Sequence, residues 1–189
     1  MATLAHLWLP ILLSAVFVFI ASSLVHMVFK WHNSDYHGFP NEDEVRAAIT
    51  KGSPSPGQYV LPYCADHKDM ASEAMKAKLE EGPVGFVILR APCPGGMRMG
   101  PMLLQWFLYC VLVSFATALL LSHCGLHADA GYKAVFHVAA LASFMAYAFG
   151  SIPMGIWWGQ PWRSVMKNLL DGLIYACLTA GTFGWLWAR

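Results

Sequence analysis

Charge is scarce in this chain: Asp, Glu, Lys and Arg make up 12% of its 189 residues, against about 25% in an ordinary soluble domain. So few charges exclude a surface that is water-exposed throughout. The formal net charge is +1, and no basic patch with interleaved aromatics occurs, which excludes a nucleic-acid binder. Cysteine is sparse too. Cys64, Cys93, Cys110, Cys124 and Cys177 are scattered and odd in number, so no disulfide framework is indicated. Catalytic signatures are missing: no nucleophilic triad, P-loop, G-x-G-x-x-G, G-x-S-x-G or H-E-x-x-H appears. There is no internal repeat.

What is abundant is apolar. Hydrophobic residues make up 57% of the sequence. A transmembrane helix needs about 20 mostly apolar residues, and four segments qualify: 4–29, 102–121, 134–152 and 162–187. The first has no Lys or Arg before Lys30, and its apolar run exceeds the roughly 7–15 residues of a signal-peptide core. It reads as a retained span. Residues 1–30 are then the first membrane helix, 31–100 an extramembrane segment, and 101–189 hold three more helices. Charges near the span ends (Lys30, Arg90, Arg98, Arg163, Lys167) outnumber those opposite (Lys133, Arg189). The positive-inside rule puts both termini outside and the long connection in the cytoplasm. Trp31, Trp106, Trp157, Trp158 and Trp162 then fall at the inner interface, and Trp8, Trp185 and Trp187 at the outer one, where indoles prefer to lie.

The long connection reads as a small α+β cap. Asn41 is placed to N-cap a short helix that opens with Glu42, Asp43 and Glu44. Strands are predicted over 58–63 and 84–89, and a helix over 69–81 that Gly82-Pro83 ends. A cap of this size cannot bury an adequate core alone. The expected fold is an all-α four-helix membrane bundle with this cap between its first two helices.

The last span carries the most specific pattern. Gly172, Ala176, Ala180 and Gly184 recur every fourth residue and form a small-residue ridge; Ala142, Ala146 and Gly150 form another on the third span. Asp171 is the one acid placed inside a span, which marks it for function by default. Arg163 and Lys167 precede it at i−8 and i−4 on the same face. That spacing predicts a Lys167–Asp171 pair in the headgroup zone, a structural reading placed ahead of the functional one.

The eight histidines divide by side. His26 and His137, the obvious span histidines, sit at opposite ends and cannot share one haem iron. Outside, His123, His127 and His137 form a candidate zinc or copper set. Inside, Cys64, His67 and Cys93 form a second. Neither has a complete paired motif. The segment Lys30-Trp31-His32-Asn33-Ser34-Asp35-Tyr36-His37 is unusually polar and aromatic for a connector and reads as an anchor for the cap through hydrogen bonds, with binding of a ligand as the alternative.

Lys30-Trp31-His32-Asn33-Ser34-Asp35-Tyr36, Pro40-Asn41-Glu42-Asp43, Pro56-Gly57-Gln58-Tyr59 and Asp171-Gly172-Leu173-Ile174-Tyr175 resemble segments of small, uncharacterised bacterial four-span inner-membrane proteins. The resemblance implies a bacterial cytoplasmic membrane and carries no functional residue. The leading expectation is a non-catalytic scaffold or accessory subunit of a larger membrane assembly, or a homo-oligomer, embedded in lipid. The rivals are an ion- or proton-coupled transporter or channel using Asp171, and a zinc- or copper-binding membrane protein using the outer histidines.

Overall fold

A computed structural model describes residues 6–127 and 129–187. The predicted start of the first span at Leu4, and Arg189, lie outside them. Helix α1 (Trp8–Ser23) runs on into a π-turn (Leu24–Phe29) and stops at Lys30, whose φ of 51° is left-handed. A 3₁₀ turn (Trp31–Asp35) follows. Then come α2 (Glu42–Lys51), β1 (Gly57–Leu61), a second 3₁₀ turn (His67–Ala71), α3 (Glu73–Glu81) and β2 (Gly85–Leu89). The remainder is helical: α4 (Met99–His123), α5 (Tyr132–Phe144) with a π-turn (Met145–Phe149), α6 (Ser151–Trp157) and α7 (Trp162–Leu186).

Among the described residues, four helices are long and apolar enough to cross a membrane: Trp8–Phe29, Met99–His123, Tyr132–Trp157 and Trp162–Leu186. Large apolar side chains stay exposed on them. Leu104, Leu108 and Leu112, spaced by one helical turn on α4, are each more than half exposed. Such a stripe is costly in water and suits lipid. The third span continues to Trp157, past the predicted end at 152, and Pro153 lies inside it. Proline supplies no N–H and crowds the carbonyl four residues back. That carbonyl is Phe149, the last residue of the π-turn, where the widened backbone absorbs the defect.

The chain divides into two compact units, residues 1–36 with 98–189, and residues 37–97. In the first, α7 packs along α5 and its π-turn and along α1, and α1 packs along α4. The ridge on α7 is spent in that packing. A Cβ added to Gly172 would meet the Cβ of Ala148 at 2.6 Å, and one added to Gly184 would meet the Tyr132 ring at 2.8 Å. The third span meets α7 with a different face from the one expected. Val135, Ala139, Ser143 and Ala148 are buried, whereas Ala142 is half-buried, Ala146 is exposed and Gly150 faces open space. The last buried step is five residues instead of four because the π-turn carries an extra residue, so strict i+4 extrapolation fails there.

The second unit is the predicted α+β segment. Its strands pair antiparallel, with Gly57 opposite Leu89 and Leu61 opposite Gly85. Ser72 caps α3 by accepting from the Met75 backbone N–H. The predicted 69–81 helix is therefore broken there into a 3₁₀ turn and α3. Asn41 sits at the start of α2, but its side-chain amide donates to Glu44 instead of capping the backbone. Met75 is the only buried residue among those described in this unit, in line with its small size.

Candidate functional site

Local backbone geometry brings the site together. The left-handed Lys30 turns the chain at the end of the first span, and the 3₁₀ turn after it folds back onto α7. Lys167 grips this turn three times: its ammonium donates to the Trp31 carbonyl (2.7 Å), to Ser34 Oγ (2.9 Å) and to Asp35 Oδ1 (2.6 Å). The Asp35 and Lys167 side chains are 8% and 16% exposed, so the contact is shielded. The ammonium's hydrogen bond holds the Asp35 carboxyl below the ordinary carboxylate range. Asp35 is therefore ionised at neutral pH.

His32 bridges two acids. Its Nδ1 lies 2.8 Å from Asp35 Oδ2, and its Nε2 lies 2.8 Å from Asp171 Oδ2. The predicted Lys167–Asp171 pair is absent. Lys167 reaches Asp35 and Asp171 takes His32, because the turn supplies a carboxylate and an imidazole at the same depth, which helix spacing alone cannot show. Within Lys30–His37, the 3₁₀ turn is fastened to the fourth span through Lys167. Arg163, predicted on the same face, is exposed.

The bridge imposes a proton count. A neutral imidazole has one N–H, and an ionised carboxylate can only accept. Two hydrogen bonds from one ring to two carboxylates need one further proton, either on the ring or on an acid. Lys167 keeps Asp35 ionised, so that proton lies between His32 and Asp171. Without it the group holds one ammonium against two carboxylates, an uncompensated negative charge at the end of a membrane helix, which is costly.

Beyond the bridge is a cavity of about 480 Å³, lined among others by Ser22, His26, Met102, Trp106, Tyr147, Asp171 and Tyr175. His26 comes from the first π-turn and Tyr147 from the second. Widened turns of this kind recur at functional sites. The His26 ring stands 4.8 Å from the His32 ring, centre to centre. Trp106, Tyr147 and Tyr175 pack mutually edge-on or tilted, and the Trp106 indole donates to Ser22 Oγ at 2.8 Å. Three polar atoms of the wall are buried with no hydrogen bond: Asp171 Oδ1, Tyr175 Oη and Tyr147 Oη. The thiol of Cys110, a weak partner, lies beside the Tyr147 hydroxyl. Buried polar groups are normally satisfied, so a wall with three orphans is shaped for something polar to complete it.

The predicted metal sets fare differently. Among the described residues, one trio of His, Cys, Asp or Glu brings its ligand atoms within 4.8 Å of one another: His26, His32 and Asp171. His123 donates through Nδ1 to the Leu119 carbonyl, the His127 carbonyl accepts from the Trp187 indole, and His137 stands edge-on to Phe136. Cys64 and Cys93 each donate to a backbone carbonyl two residues away; the side chain of His67 lies outside the described residues. Sequence reasoning does not bring His26, His32 and Tyr147 together with Asp171 as one site. A usable signal was present: an acid in a span needs a partner at its own depth, and the Lys30–His37 segment lies there. No protein-family model matches the chain, and neither a curated protein nor a solved structure is significantly similar to it.

Proposed function

We propose that the protein is a proton- or cation-coupled membrane transporter whose coupling group is the His32–Asp171 pair. The observation that carries this reading is the bridging imidazole: two carboxylates at 2.8 Å from one ring require a bound proton. The same acid lines the cavity and keeps a second, unpartnered oxygen. A solute entering the cavity meets Asp171, the acid that shares the proton, beside the neutral polar groups of Ser22, Ser151 and Asn168, so its binding bears on the group that holds the proton, which is the elementary requirement of coupling. Lys30, Arg163 and Lys167 lie at this end of the bundle, so the cavity faces the cytoplasm under the positive-inside rule. The resemblance noted above favours a bacterial inner membrane. Four spans are few for a carrier, so two or more copies assemble around the path.

For the accessory-subunit reading, one of the two small-residue ridges, that on α7, is filled by Ala148 and Tyr132 of the same chain, while Ala146 and Gly150 of the other stay exposed.

The test is proton flux into vesicles reconstituted with the purified chain and a trapped pH dye, driven by a potassium diffusion potential. Flux above empty vesicles, reduced at least about tenfold by Asp171→Asn, is expected. Flux at the background level, or untouched by Asp171→Asn, overturns the reading.

A further inference from the structure

We propose that His26, His32 and Asp171 form a binding site for a divalent first-row transition-metal ion, which replaces the shared proton. This rests on the preceding reading of the cavity and names the cation it takes. One nitrogen from each histidine and one oxygen from Asp171 lie within 4.8 Å of one another. The 2.8 Å gap between His32 Nε2 and Asp171 Oδ2 opens to about 3.3 Å when both bind one tetrahedral ion at bond lengths of about 2.0–2.1 Å. That is a half-ångström adjustment of this pair, and the His26 nitrogen, within 4.8 Å of the others, closes by up to about 1.5 Å to the same spacing.

The surroundings have the form of a metal site. Metal-bound histidines regularly donate their other ring N–H to a carboxylate, which fixes the tautomer. His32 has this partner in Asp35 at 2.8 Å, and Lys167 pins Asp35 in turn at 2.6 Å. Nε2 is thereby left as the lone-pair nitrogen, aimed at Asp171. Asp171 is only 5% exposed and keeps Oδ1 without a partner, so a second oxygen is on hand for the ion or a bound water. Two imidazoles with one carboxylate suit zinc, copper, nickel, cobalt or iron; magnesium and calcium want oxygen. Three protein ligands leave a coordination position open, and here it opens on the cavity.

Charge bookkeeping fits an exchangeable ion. With neutral imidazoles the group of Lys167, Asp35 and Asp171 carries −1. A divalent ion takes it to +1, and one anionic ligand on the open position restores neutrality. Binding releases the shared proton to solution.

The experiment uses the full chain in mild detergent, stripped with chelator and titrated with Co²⁺ and then Zn²⁺. About one Co²⁺ per chain, with ligand-field bands in the visible that Zn²⁺ abolishes, is expected. His26→Gln should weaken binding by more than the roughly 10–100-fold that outer-shell changes cost. His26 meets His32 by a ring contact and Asp171 only through space, so this variant leaves the hydrogen bonds of the docked turn in place and its loss of metal is not a folding defect. Asp171→Asn should do the same, and His123→Gln and His137→Gln should bind as wild type. Co²⁺ below about one-tenth per chain, undiminished binding in His26→Gln, or loss of binding in His123→Gln overturns the inference. If metal fails to bind while proton flux still depends on Asp171, the metal site alone falls. If both fail, the cavity reading falls with it.

Discussion

The two ends of the bundle are built on opposite rules. At the Leu7 end, Leu7, Ile11, Ala118, Leu121, Val135, Ala139, Ala180, Phe183 and Trp187 form one buried apolar cluster. None of the described buried side-chain atoms there lacks a hydrogen bond. At the His32 end the core gives way to a cavity, two π-turns meet it, and four buried polar atoms are orphaned: Trp31 Nε1, Tyr147 Oη, Asp171 Oδ1 and Tyr175 Oη. Both ends share the same helices, so composition of the spans does not explain the contrast. The difference shows where stability has been given up. One end is packed to hold the helices together, and the other keeps polar capacity unspent, as a binding site must.

The largest effect expected on this contrast comes from Lys167→Met. The ammonium makes all three of the lysine's contacts to the Trp31–Asp35 turn, and methionine supplies none of them. Asp35 and Asp171 are then left facing each other across His32 with no fixed cation. The turn should undock. Hydrogen exchange at the backbone amides of 31–36 should rise to the level of an unstructured segment, while 8–18 and 176–186 keep their protection. Loss of protection at both ends together would mean that they are one cooperative unit and the contrast is only static.

A second comparison uses the two glycines of α7. Gly172 at the His32 end abuts the Cα and Cβ of Ala148, backbone and stub, which cannot swing aside. Gly172→Ala should cost about 1–3 kcal/mol by overpacking. Gly184 abuts the ring of Tyr132, which is half exposed. Here the ring can rotate away while the Tyr132 carbonyl oxygen, 3.3 Å from the added Cβ, gives little, and alanine regains about 1 kcal/mol of helix propensity, so Gly184→Ala should cost less than Gly172→Ala. Denaturant titration in detergent measures both. Equal costs would show that the π-turn at Ala148 yields as easily as a side chain.

Much of this fold is legible in the sequence, because the forces that set it are local. Apolar runs of span length, Gly82-Pro83 after a helix, and short apolar strands bounded by turn residues all announce themselves within about 20 residues. The site is less legible. His32 and Asp171 are 139 positions apart, and no spacing rule connects them. Lys167 and Asp171 sit at the i, i+4 spacing that favours pairing, yet each finds a stronger, shielded partner on the turn. The π-turns have no periodic signature, and they move His26 and Tyr147 into the wall and shift the packed face of the third span. Pro153 hints at one of them. Nothing in the sequence near Leu24–Phe29 announces the other.

The smallest and most discriminating effect belongs to Tyr175→Phe. The Tyr175 side chain is 4% exposed, and its hydroxyl is buried without a partner. An unsatisfied buried hydroxyl costs about 1–3 kcal/mol relative to a satisfied one, whereas removing it leaves an apolar ring of the same shape. If Tyr175 serves only the core, phenylalanine should raise the unfolding midpoint slightly, by up to about 1 kcal/mol, and change nothing else. If the hydroxyl is kept for a solute, the same stabilisation should come with weaker flux or weaker metal retention. Stabilisation with loss of function marks a residue held in an unfavourable state for a purpose. A destabilised Tyr175→Phe would mean that the hydroxyl is satisfied in the folded protein, and the contrast between the two ends would shrink to the cavity alone.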